Sequence, residues 1–181
     1  MPASALPRRT GGRARWLPPG PRKALLAVHV IVAVGWFGLD LCLLVLAVTG
    51  AVTGDPLLRR AAYLALGQLG GTLIIPVSVA ALVTGITLAA GTPWGLVKYR
   101  WVLVSLLLTT PMTAAVIFAL LPLLQGAAHA AATHTSVAAA VGGERFPVII
   151  ASSAEMAVLI TIAVINIVKP WGRTRRAPAG R

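Results

Sequence analysis

Apolar residues run almost without interruption through four stretches of the chain, about 24–50, 64–90, 101–124 and 147–168. Each stretch exceeds the ~20 residues with which an α-helix crosses ~30 Å of hydrocarbon. The pattern predicts an all-α fold, a four-helix transmembrane bundle of up-and-down topology. Thr53-Gly54-Asp55-Pro56, Gly91-Thr92-Pro93-Trp94-Gly95 and an Ala-rich segment ending at Gly142-Gly143 supply the breaks between spans. Pro76 and Pro111 fall inside the second and third stretches, where each is expected to kink its helix and free a carbonyl. Residues 1–22, rich in Pro, Gly and Arg, read as a disordered basic tail, and 169–181 as a second basic tail. The first apolar run, introduced by Lys23, is too long for the core of a cleavable signal and has no clear small-x-small cleavage site, so it reads as a retained span. Arg8 and Arg9 are followed by Thr10, Gly11 and Gly12 rather than by an apolar core, and count as plain positive charge.

Composition agrees with that pattern: 57% of the 181 residues are hydrophobic and 11% charged, far from the usage of a water-soluble domain. The single cysteine, Cys42, lies within the first apolar run and has no disulfide partner. A net charge of +12 could attract nucleic acid, yet the basic residues gather at the ends of the spans and no reader motif accompanies them, which excludes that class. Thirteen Lys and Arg lie in the two tails and the second loop, against three in the first and third loops. The positive-inside rule therefore predicts both termini in the cytoplasm, with the basic tails against anionic lipid headgroups. Trp16, Trp94, Trp101 and Trp171 fall near the same predicted interface, where amphipathic rings favour the headgroup zone; Trp36 is the exception.

A few polar residues are stranded inside the spans. His29, Trp36 and Asp40 follow one another at spacings of seven and four, so His29 and Asp40 differ by only ~20° in direction around a helix. Glu155 and Asn166 repeat the eleven-residue spacing in the fourth span. An ionisable side chain facing lipid costs at least ~2.5 kcal/mol near mid-bilayer, so these stripes are expected to face protein or a wet cavity. Counted from Lys23 and Lys169 at ~1.5 Å per residue, Asp40 lies roughly 25 Å and Glu155 roughly 21 Å along their helices. Two carboxyls at one level could share a proton or hold a cation. In a purely structural role, each would be protonated and donate a hydrogen bond to a carbonyl or a Thr. His29 is a weak metal-ligand candidate. His129 and His134 are weaker still, five residues apart beside the third loop with no Cys or acidic cluster nearby.

No phosphate-binding loop, nucleophile elbow or His-Glu-x-x-His motif is present, so no catalytic constellation is visible and no cofactor is predicted. Gly35/Gly38 and Gly67/Gly70/Gly71 read as small-residue surfaces for close helix approach. Three uses of the polar stripes compete. One is a non-catalytic or accessory membrane protein whose stripes only specify packing, which is the leading expectation. The others are a proton- or cation-coupled carrier or channel component using Asp40 and Glu155, and a metal- or haem-binding redox protein using His29. The expected partners are the lipid bilayer and either another membrane protein or a second copy of the chain.

The run from His29 through Trp36-Phe37-Gly38, with Pro76 through Thr84-Gly85, GTPWG and Tyr99-Arg100-Trp101, resembles a bacterial family of predicted integral membrane proteins of unknown function, over roughly residues 23–115. The first helix is more distantly similar to copper-resistance membrane proteins of the D type, but most of the methionine and histidine ligands of a copper role are missing. With the Ala, Gly, Arg and Pro bias of a GC-rich genome, the resemblance implies a multi-pass protein of the bacterial plasma (inner) membrane.

Overall fold

The computed structural model describes residues 17–92, 94–143, 145–172 and 174; most of both predicted basic tails lies outside the described residues. Four helices are long and apolar enough to cross a membrane. The first is α1 (Pro19–Val52). The second combines α2 (Pro56–Leu69), a π turn (Gly70–Ile74) and α3 (Ile75–Gly91). The third combines α4 (Arg100–Ala115), a π turn (Val116–Leu120) and α5 (Leu121–Thr133). A single turn, α6 (Val137–Ala140), precedes the fourth, α7 (Arg145–Val168). Large apolar side chains cover the outside: Ile31 is 70%, Phe118 79% and Ile167 80% exposed, a surface that water does not tolerate over such an area but hydrocarbon does. The chain is a multi-pass membrane protein.

The first three helices run past the apolar stretches. The third ends at Thr133 rather than near Leu124, because Ala-rich sequence loses hydropathy but keeps the highest helix propensity. At ~1.5 Å per residue the 34-residue α1 is ~51 Å long, whereas the 24-residue α7 is ~36 Å. Beyond the start of α7, the turn α6 packs on α2 and α5 in its place, with Val137 and Val141 buried against Tyr63, Ala127 and Ala131.

Each π turn stands just before a proline, Pro76 or Pro122, and the sequence reading had singled out only the first of these together with Pro111. A proline offers no N–H to the preceding turn, and a widened turn accommodates that loss. The π turns also keep the buried stripe straight. Ala62, Leu66, Gly70, Ile74 and Ser78 recur every four residues, as do Met112, Val116, Leu120 and Leu124. Four residues of pure α-helix overshoot a full rotation by about 40°, so such a stripe would spiral away from its neighbours without a wider turn.

Around the assembly, α1 packs on α2, α3 and α7, and α7 also packs on α4. The described ends of the chain lie at one pole. Leu17 N–H donates to the Gly91 carbonyl at 2.9 Å, and Thr174 N–H to the Lys98 carbonyl at 3.0 Å. Lys169 closes α7 in a left-handed conformation, φ 51°, and its ammonium lies 4.1 Å from the Trp94 ring centre and 5.5 Å from that of Trp101. The two indoles meet edge to face at 4.7 Å. At the opposite pole Asp55 caps α2 by accepting from Leu57 N–H at 2.8 Å, and the Arg59 guanidinium donates to the Gly50 and Thr53 carbonyls at the end of α1. A cation there matches the negative end of the helix dipole.

Candidate functional site

Trp36 and Asp40 are one helical turn apart on α1, and both turn inward because their polar atoms are poorly solvated by lipid and the helix presents that face to α7. Across the interface, Ser152 and Glu155 occupy neighbouring positions on one face of α7. Asp40 and Ser152 are completely buried, Trp36 and Glu155 nearly so. The Trp36 indole Nε1–H donates to Glu155 Oε1 at 2.6 Å, a short bond spanning 119 residues of sequence. Asp40, one turn beyond Trp36, is buried on the same face of α1, which packs on α7. Neither Asp40 oxygen, nor Glu155 Oε2, nor Ser152 Oγ has a hydrogen-bond partner among the described residues. Each such orphan costs about 1–3 kcal/mol, and more if charged, so four of them in one interface are a concentrated departure from normal packing.

Ser152 stands out among the hydroxyls of the spans. Ser78, Thr84, Thr87, Thr109, Thr113 and Thr161 each donate back to a carbonyl three or four residues earlier. That is the usual way a hydroxyl is satisfied within an apolar helix. Ser152 makes no such bond, and its hydroxyl stays available one turn before Glu155. The sequence reading passed over it; the signal was its place three residues before an intramembrane acid.

The other polar residues of the two stripes go elsewhere. His29 turns to α3: its Nδ1 and Thr84 Oγ1 are 2.8 Å apart, while the Thr84 hydroxyl donates to the Ala80 carbonyl at 2.6 Å. With the threonine hydrogen committed, the imidazole is the donor, which leaves Nε2 as its acceptor nitrogen. Gly85 makes room, since a Cβ there would meet His29 Cε1 at 3.2 Å. The Thr84-Gly85 pair noted in the sequence is thus the seat of His29. Asn166 turns to α4, where its Oδ1 accepts from Ser105 Oγ–H at 3.2 Å. His129 and His134 are exposed at the far pole, and the His134 carbonyl accepts from Arg60 Nη2 at 2.6 Å. Among the described residues no three His, Cys, Asp or Glu side chains assemble a metal site. Cys42 faces outward.

The structure therefore joins Trp36, Asp40 and Glu155, adds Ser152, and leaves His29 and Asn166 as separate interhelical contacts. No protein-family model, no curated protein and no solved structure matches the chain.

Proposed function

We propose that the protein is a proton- or cation-coupled carrier or channel component of the bacterial plasma membrane, with Asp40 and Glu155 as its ion-binding groups. One observation carries this reading over a purely structural use of the acids: both oxygens of the fully buried Asp40 are without a partner among the described residues. A carboxyl kept only to fix helix contacts would donate its proton to a carbonyl or a hydroxyl and so remove its own desolvation cost. Asp40 does neither, and Glu155 accepts from an indole rather than donating to α1. Ionisable groups that face the interior of a membrane bundle mark ion and proton pathways.

Purified protein in liposomes is expected to give a pH-dependent ion flux above that of empty vesicles, abolished by Asp40→Asn. Flux indistinguishable from empty vesicles in the wild type would reject the reading. The proposed orientation places the pole that carries the described ends of the chain in the cytoplasm, supported by the thirteen-to-three distribution of Lys and Arg. In a Cys42→Ser background, Ser136→Cys, on the exposed turn before α6, is expected to react with an impermeant maleimide in intact cells, whereas Ser4→Cys stays unlabelled. The reverse pattern would invert the topology.

A further inference from the structure

The two acids of the centre are not equivalent. The indole N–H can only donate, so Glu155 Oε1 is an acceptor in every protonation state of the carboxyl. A donor on a carboxylate oxygen favours the charged form. The unbonded Ser152 hydroxyl, one turn away on the same face of α7, is a second donor within the same neighbourhood. Among the described residues Asp40 has no donor on either oxygen, and it has no exposed surface, so nothing described there supports a charge.

A metal ion fits the same atoms poorly. Ca²⁺ takes six to eight oxygens, whereas this buried centre offers two carboxyls and one hydroxyl, with an N–H hydrogen already pointing at one of the oxygens. A proton needs only the carboxyl that receives it.

We infer that the ligand of this centre is a proton, that when the pair holds one it is carried by Asp40 beside an ionised Glu155, and that Trp36 is the positioning residue that sets this asymmetry. The inference rests on the proposed ion-binding site but not on transport. When a second proton arrives it goes to Glu155 Oε2, because the indole occupies Oε1. Among the described residues no other acid or base faces this level, Cys42, two residues from Asp40, pointing outward. Of the elements packed on α1 and α7, α3 and the π turns carry no titratable side chain. On α2, Arg59 binds carbonyls at the far end of α1, Arg60 binds the His134 carbonyl, and Tyr63 lies against Gly50, ten residues beyond Asp40. On α4 and α5, Arg100 begins its helix and His129 stands in the last turn of its own. On α1 itself, His29 is eleven residues from Asp40 and engaged with Thr84, and Arg22 and Lys23 stand in the first turns of the helix. On α7, Arg145 opens the helix ten residues before Glu155.

Infrared difference spectra of the full-length protein in liposomes test this without relying on flux. The sequence holds two aspartates, Asp40 and Asp55, and two glutamates, Glu144 and Glu155, so ¹³C-carboxyl labelling of one residue type at a time identifies the owner of a carboxylic-acid band. As the pH is lowered from alkaline values, the first such band to appear is expected to be shifted by ¹³C-Asp and not by ¹³C-Glu, and unchanged when sodium chloride replaces choline chloride. The band should persist in Asp55→Asn and vanish in Asp40→Asn. Trp36→Phe is expected to spread the proton over both acids, so that ¹³C-Glu now shifts part of the band. A first wild-type band owned by glutamate, the absence of any acid band, or its displacement by sodium would overturn the inference. The wild-type labelling decides the question even if a variant fails to fold. An Asp40 band without flux would leave this assignment standing while the carrier reading fell.

Discussion

Changing Asp40 to Asn and Glu155 to Gln together is expected to destabilise the protein by less than the two single changes added, with a coupling of roughly 0.5–3 kcal/mol. In either single variant one buried acid keeps its desolvation cost but loses the neighbour against which its proton is distributed. In the double variant no ionisable group remains in the interface, and two amides of nearly the same volume can donate to one another. Unfolding followed for all four members of the cycle in one detergent gives the coupling directly. Additivity within about 0.3–0.5 kcal/mol would mean that the two carboxyls act independently.

The second large effect belongs to Gly67. A methyl group added there would run into Ala128 Cβ, with the Leu124 carbonyl at 3.5 Å behind it, so α2 and α5 would have to part. Gly67→Ala is expected to cost about 1–3 kcal/mol, as over-packing of a well-filled interface does. Gly35→Ala and Gly71→Ala are the controls: an added Cβ meets nothing within 4 Å at Gly35, and only Gln125 Nε2 at 3.7 Å at Gly71. Both should be neutral or gain up to ~1 kcal/mol of helix propensity. A Gly67→Ala protein that unfolds at the wild-type temperature would show that the α2–α5 contact yields freely.

That contrast also marks how far the sequence could be read. Gly35/Gly38 and Gly67/Gly70/Gly71 look alike as strings of small residues, yet only at Gly67 and Gly70 would a Cβ clash with another helix, Gly71 having an ordinary contact and Gly35 and Gly38 nothing within 4 Å. Which face of a helix meets a neighbour depends on both partners, and in a membrane the outward face is as apolar as the inward one, so hydropathy does not tell them apart. The same limit governs the polar stripes. Asp40, Trp36 and Glu155 were conspicuous because polar groups are rare and costly in such runs, and counting from the flanking lysines set the two acids at one level. That His29 would turn to Thr84 and Asn166 to Ser105 depended on which helices stand beside them, and a single chain's spacing carries no such information. Ser152 was hidden among many serines and threonines, and only its complete burial without a hydrogen-bond partner among the described residues distinguishes it.

The π turns were equally hidden, and they bear on how the middle helices absorb changes in length. A π turn is an α-helix with one residue to spare, and the segments on either side keep the phase they would have without it. Within Gly70–Ile74 or Val116–Leu120, loss of a residue leaves a continuous helix whose two halves still point at their old neighbours. Anywhere else in these helices the same loss turns everything beyond it by about 100° and swings buried positions such as Ser78 or Leu124 toward lipid. Helix length and helix phase, rigidly linked in α1 and α7, are thus uncoupled near the middle of the second and third helices.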